Sequence, residues 1–100
     1  MNTFIVTFEP GKAWVRGKGS REQPHWSDHA VFMDNLFSAG KVVMGGPFVD
    51  YSGVMVIVLA DSGDEVDKMF RDDPFLTNDI LKITSITQWL IFLDSRKANA

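Results

Sequence analysis

Seven consecutive residues, Val54 to Ala60 (VMVIVLA), are apolar, so a strand drawn through them has no polar face. Side chains alternate across a strand, which places Val54, Val56 and Val58 on one side and Met55, Ile57 and Leu59 on the other. Its length and its content of β-branched residues favour a strand over a helix. An antiparallel sheet ordinarily keeps one face wet and polar, so this strand demands cover on both sides. Lys82 to Leu93 reads the same way, with Ile83, Trp89 and Ile91 opposing Ile86, Leu90 and Phe92. Each large side chain left in water forgoes about 1.5–3 kcal/mol. A chain of 100 residues buries only about 60–65% of the surface its unfolded form exposes. Pairing of two sheets across a two-fold axis is therefore the expected remedy, and the expected partner is a second copy of the chain. Further association of such dimers is left open, and cover by a long loop or by the C-terminal tail is the alternative.

The remaining elements follow from local signals. Phe4, Ile5, Val6 and Phe8 form a first strand that stops at Pro10-Gly11, and Glu9 to Pro24 is a long loop rich in glycine and basic residues. Trp26 to Ala39 predicts a helix, capped by Ser27 or a neighbour and stopped by Gly40, with His29, Phe32, Met33, Leu36 and Phe37 along its inner stripe. Lys41 to Met44 is a strand that Gly45-Gly46-Pro47 breaks or bulges. Ser62 and Glu65 form a capping box for a second helix through Val66, Met69 and Phe70, which Asp73-Pro74 ends. Phe75 to Ile80 is read as a short helical turn, and Lys82 to Leu93 as the closing strand. The order β-α-β-β-α-β predicts an α+β, ferredoxin-like single domain of residues 1–100, an antiparallel sheet with both helices on one face. Its core runs from about residue 3 to 93, with a flexible tail over 94–100.

Composition narrows the function. A net charge of −3 and a pI near 5.1 argue against nucleic acid, which selects a basic face. The absence of cysteine removes disulfides, thiolate metal sites and cysteine nucleophiles. No apolar run reaches the roughly 20 residues that span a bilayer, so no membrane partner is expected. Met1 to Phe8 lacks the charged and apolar regions of a signal peptide, and the cytoplasm is the expected compartment.

His29 is the one ionisable group on the inner stripe of the first helix, and it lies in the first turn, where the helix dipole disfavours an imidazolium. A neutral imidazole there suits proton transfer near pH 7, or else is a core histidine bonded to a carbonyl. Asp73 stands where the second helix ends and is placed to fix the ring's tautomer; it equally suits the plain start of a turn before Pro74. Asp72 competes for either role. His25 and His29 have the spacing of two ligands on one helix face, but three protein ligands are usual for open zinc sites, and no metal is expected. Lys12, Arg16, Lys18 and Arg21 line a loop that is either solvated or closes over an anionic substrate. The full phosphate-loop spacing is absent. Trp14, Trp26 and Tyr51 are available to line a pocket for a ring.

The stretch HWSDHAVFMDNLFSAGKVVMGGPF, followed by the apolar strand, by DDPF and by a closing strand with QW, resembles the YCII-related family over Phe4 to Leu93. The resemblance implies a dimeric α/β-barrel and an active site of His29 and Asp73, with Gly46 and Pro47 shaping the pocket wall. It implies a cofactor-independent lyase, isomerase or dehydrochlorinase-like enzyme acting on a small, aromatic or lactone-like anionic metabolite, with Arg21, His25 and Trp26 as further substrate contacts. The loop from Pro10 to Pro24 is longer and more basic than in the shortest members. A non-catalytic small-molecule-binding or accessory module is the alternative.

Overall fold

Phe4, Val6 and Phe8 alternate with Thr3, Ile5 and Thr7, and this period of two makes β1 (Asn2–Pro10) a strand with one fully buried face. A computed structural model of the chain describes residues 1–97. In it β1 lies at the centre of a four-stranded antiparallel sheet, between β3 (Val54–Ala60) and β4 (Leu81–Gln88), with β2 (Val42–Pro47) on the far edge. The strand order is β2-β3-β1-β4. Against the inner face pack α1 (Trp26–Ser38), α2 (Gly63–Phe70) and the single turn of α3 (Pro74–Thr77), completing an α+β domain. Val66, Phe70 and Phe75 sink into the sheet residues Val6, Phe8 and Val58, and the Phe8 and Phe70 rings meet edge to face at 5.3 Å.

Each helix starts and stops for a local reason. Ser62 caps α2, its hydroxyl accepting from the Glu65 amide, while the Glu65 carboxylate reaches past the cap to the Asp61 amide. At the head of α1 the cap position is held by His25 in the left-handed region (φ 66°), with no side chain bonded there, so the expected cap at Ser27 is not used. Gly40, at φ 75°, turns the chain out of α1 in the conformation that glycine adopts most cheaply. α1 lies loosely on the sheet: Phe32, Met33 and Leu36 are half-buried against the core, whereas Phe37 is 60% exposed beside an open cleft.

Two strands depart from expectation. The Gly45-Gly46-Pro47 segment does not break β2. It stays paired with Met55 and Val54, and the irregularity falls earlier, between Val42 and Met44. An edge strand tolerates proline because one side of its ladder is free. β4 ends at Gln88 rather than Leu93, because Gln88 already pairs with Phe4 and β1 has only its first residues left to offer. Trp89 donates to the Thr3 carbonyl, and beyond it Leu90 and Phe92 stand 75% and 89% exposed.

A bulge also changes the parity of β4. Thr7 faces Ser85 and Phe8 faces Ile83, so Thr84 is the extra residue. Ile83 and Ile86 consequently pack on the same core instead of opposing one another. The outer face is therefore apolar over β2, β3 and Ile5 of β1, with Met44 and Met55 exposed, and polar where Thr7 bonds the hydroxyls of Thr84 and Ser85 of β4. Of the tail expected over 94–100, Asp94 forms a local ion pair with Arg96 that holds its carboxyl down at about 2, and residues 98–100 lie outside the described ones. No helix among the described residues is long and apolar enough to cross a membrane.

Phe70 is fully buried where α2 meets β1. Phe70→Ala should cost about 3–5 kcal/mol of unfolding free energy in a urea titration followed by circular dichroism.

Candidate active site

Pro74 biases the residue before it toward an extended conformation, and Asp73 accordingly leaves the helical region (ψ 123°) and turns its side chain back over α3. Its Oδ1 accepts from the Phe75 amide at 3.0 Å, which makes Asp73 the cap of α3. The same oxygen accepts from Nδ1 of His29 at 2.7 Å. One carboxylate oxygen thus both starts the turn of α3 and contacts the His29 ring. Asp73 is only 1% exposed, and a carboxylate so deeply buried requires such donors.

His29 arrives from α1, its amide closing the first helical bond to the His25 carbonyl. Its ring lies flat on that of Phe75, 3.9 Å between centroids and 4° between planes, with the Trp26 indole 5.6 Å away. Stacking fixes the plane of the imidazole, and the bond to Asp73 fixes its rotation. Because Nδ1 donates to an ionised carboxylate, the neutral ring carries its proton there and presents Nε2 as the lone-pair nitrogen. Nε2 has no protein partner among the described residues, and His29 borders a cleft of about 860 Å³.

That cleft opens between α1, the edge of β2 and the loop from β1. His29, Asp73, Arg21, Trp26, Gly46 and Pro47 all line it, although they come from four separate stretches of chain. His25 does not: it lies exposed at the cap of α1, apart from the cleft. Among the described residues no group of three or more His, Asp or Glu side chains is placed to hold a metal ion. The cleft floor is apolar, with Phe8, Val54, Val56 and Leu81 from the sheet. Among the described residues Arg21 is the only Lys or Arg that lines it, and the carboxylates of Glu22, Asp34 and Asp73 line it as well.

Three residues, Phe75, Tyr51 and Gln23, shape the site in ways that local sequence signals do not record, although Tyr51 is among the aromatics expected to line a pocket. Phe75 follows Asp73 at the spacing of a cap's amide donor, but its stacking on His29 has no sequence signature. Tyr51, considered only as a possible ring contact, adopts φ 59° and lays its ring over Gly19, where any added Cβ would sit 2.8 Å from that ring. Gln23 is buried, its amide accepting from the Val15 amide and donating to the carbonyls of Val15 and Lys18. These three bonds stitch together the loop that carries Arg21, so the basic loop is anchored from within rather than merely solvated.

Residues 3–90 match the family described as the YCII-related domain. An uncharacterized protein, YjpA, of Bacillus subtilis (strain 168) is 31% identical over 67 residues, which cover 67% of this chain and 78% of that protein. Among solved structures the fold is similar to that of a 5-chloro-2-hydroxyhydroquinone dehydrochlorinase from Burkholderia phenoliruptrix AC1100, in complex with 2,5-dihydroxybenzoquinone. The TM-score is 0.64 at 21% identity, over 87% of this chain and 93% of that one.

Removing the shared acceptor strands two donors at once, the Phe75 amide and His29 Nδ1. Asp73→Ala should cost about 1–3 kcal/mol in thermal or urea unfolding. In ¹⁵N NMR spectra the His29 ring should change from a single Nδ1-protonated tautomer to a mixture.

Proposed function

The chain belongs to the YCII-related family, and on that footing we propose that it is a cofactor-independent enzyme in which His29 moves a proton on a small, ring-shaped anionic metabolite. The observation that carries the reading is the 2.7 Å bond from His29 Nδ1 to the buried Asp73, which leaves Nε2 as an acceptor beside the cleft. In this role Nε2 takes a proton from an acidic O–H or C–H of the substrate, and Asp73 stabilises the resulting imidazolium. Returning the proton to a different atom gives an isomerisation; expelling a leaving group with its bonding pair gives an elimination. The stacked rings of His29 and Phe75, with Trp26 beside them, suit a planar substrate, and Gly46 and Pro47 line the same cleft. Arg21, the one Lys or Arg among the described residues lining the cleft, is the group that engages an anionic oxygen.

The similarity to a dehydrochlorinase bound to a dihydroxyquinone supports the ring-shaped substrate class. On a chlorinated, hydroxylated ring the step balances without a redox cofactor. One hydroxyl proton moves to the chlorine-bearing carbon, a second is removed as chloride departs with the C–Cl pair, and HCl is lost overall. His29→Ala and His29→Gln should each lower turnover by about 10²–10⁴-fold, with the circular dichroism spectrum unchanged. Suitable substrates are hydroxylated aromatics, including 5-chloro-2-hydroxyhydroquinone, and lactones, followed by chloride release and mass spectrometry. Undiminished turnover in the variants removes His29 from the chemistry. A compound that raises the melting temperature without being consumed makes the protein a binding module instead.

The same reading includes a homodimer in the cytoplasm, formed through the outer face of β2 and β3, where Met44 and Met55 are 44% and 38% exposed. The double variant Met44→Asp, Met55→Asp should then elute as a monomer in size-exclusion chromatography with light scattering, while the unaltered chain has twice that mass.

A further inference from the structure

Beside the cleft that holds His29 lies a second, shallower hollow of about 620 Å³, bordered by Trp14, Arg16, Lys18 and Asp50. The two hollows share Gly19, Glu22 and Tyr51, so they are neighbours on either side of one wall. The construction of that wall is unusual. Tyr51 occupies the left-handed backbone region, uncommon for any residue but glycine and costly for a bulky one. Its ring rests where a Cβ on Gly19 would intrude, and the Trp14 indole lies 6.4 Å from it on the side of the second hollow. Residues 15–18, which carry the two cations, are held to Gln23 by its three side-chain bonds. Arg16 and Lys18 thus project from a fixed loop rather than from a freely moving one.

The charges of the hollow are unevenly engaged. Asp50 accepts from the Ser52 amide at 2.9 Å and Glu22 from the Gly19 amide at 3.3 Å, so both carboxylates have backbone donors. Neither Arg16 nor Lys18 has an ion-pair partner among the described residues. An apolar cleft bordered by His29 therefore continues, past one aromatic side chain, into a small recess whose two cations, unlike its two carboxylates, have no hydrogen-bonding partner among the described residues.

We infer that the two hollows form a single two-part site, and that its ligand is a ring compound bearing an acidic tail. The ring lies against His29 and the tail runs past Tyr51, so that its carboxylate sits between Arg16 and Lys18. Arg binds a carboxylate through two parallel N–H groups and Lys adds a point charge, a pairing that recognises the end of the tail without contacting the ring. The placement of the ring rests on the function proposed above; the basic recess stands on its own geometry.

The experiment is a calorimetric titration with 2-methylhydroquinone, 2,5-dihydroxyphenylacetate and 4-(2,5-dihydroxyphenyl)butanoate, which share a ring and differ in tail. The longest tail should bind about tenfold more tightly than the tail-less ring, and that gain should vanish in the exposed-loop double variant Arg16→Ala, Lys18→Ala. It should also shrink in about 0.5 M salt, where exposed charges are screened. Equal affinity of the butanoate for the unaltered and doubly substituted chains overturns the inference. A parallel NMR titration with glutarate separates the two claims. If no ring compound binds but glutarate shifts the Lys18 and Gly19 amides of the unaltered chain alone, the recess stands and the ring assignment falls. If glutarate shifts neither amide and the tail adds no affinity, the two-part site is wrong.

Discussion

One carboxylate oxygen, Oδ1 of Asp73, ties together the segments of this molecule that border the cleft. It caps α3 through the Phe75 amide and holds the His29 ring from α1, joining segments 44 residues apart in sequence. Burial of an ionised group costs several kcal/mol unless donors replace its water, and here two donors converge on one atom. Phe75 then serves twice, since its amide satisfies the carboxylate and its ring supports the imidazole that the carboxylate orients. The orientation of the His29 ring and the cap of α3 therefore meet at one atom, and replacing Asp73 disturbs both.

The sheet supplies the platform for that arrangement. Its inner face is filled by Val6, Phe8, Val58 and the helical residues above them, which leaves the β2 edge less covered, because α1 buries none of its side chains fully. The cleft forms in that gap. A more deeply packed α1 would stabilise the core and close the site, so the looseness of this helix and the existence of a cleft are the same feature. The outer face divides along the sheet, apolar over β2, β3 and Ile5 and hydroxyl-rich where Thr7 meets β4. That division follows from the bulge at Thr84, which turns Ile83 and Ile86 inward together and leaves serine and threonine outside.

The long loop between β1 and α1 completes the enclosure. Its start is bonded to the carbonyls of Ile80 and Asp79, its middle to Gln23, and its glycine at position 19 accepts the ring of Tyr51. Three non-glycine residues with positive φ, His25, Tyr51 and Asp79, all lie at contacts or ends of this loop. Strain of this kind persists only where surrounding structure over-determines it. A loop built in this way acts as a wall that presents Arg21 to the cleft, and not as a strap lying free in water.

Much of this was legible in the residues themselves. The uninterrupted apolar run of Val54 to Ala60, the stripe through His29 and the Ser62 and Asp73 caps all report local period or local hydrogen bonding, and they set the order of elements before any contact is known. They also placed His29 and Asp73 on elements that share a sheet face. Tertiary structure alone decided the rest. The end of β4 at Gln88 depends on where its partner strand runs out, and the parity of Ile83 and Ile86 depends on a bulge whose position is set by pairing with β1. The burial of Gln23, the left-handed turn at Tyr51 and the stack of Phe75 on His29 arise between segments distant in sequence, where no periodicity records them. The sequence thus determined which groups are available for chemistry. Packing decided which of them share a cleft, because a cleft is defined by what neighbouring elements leave unfilled.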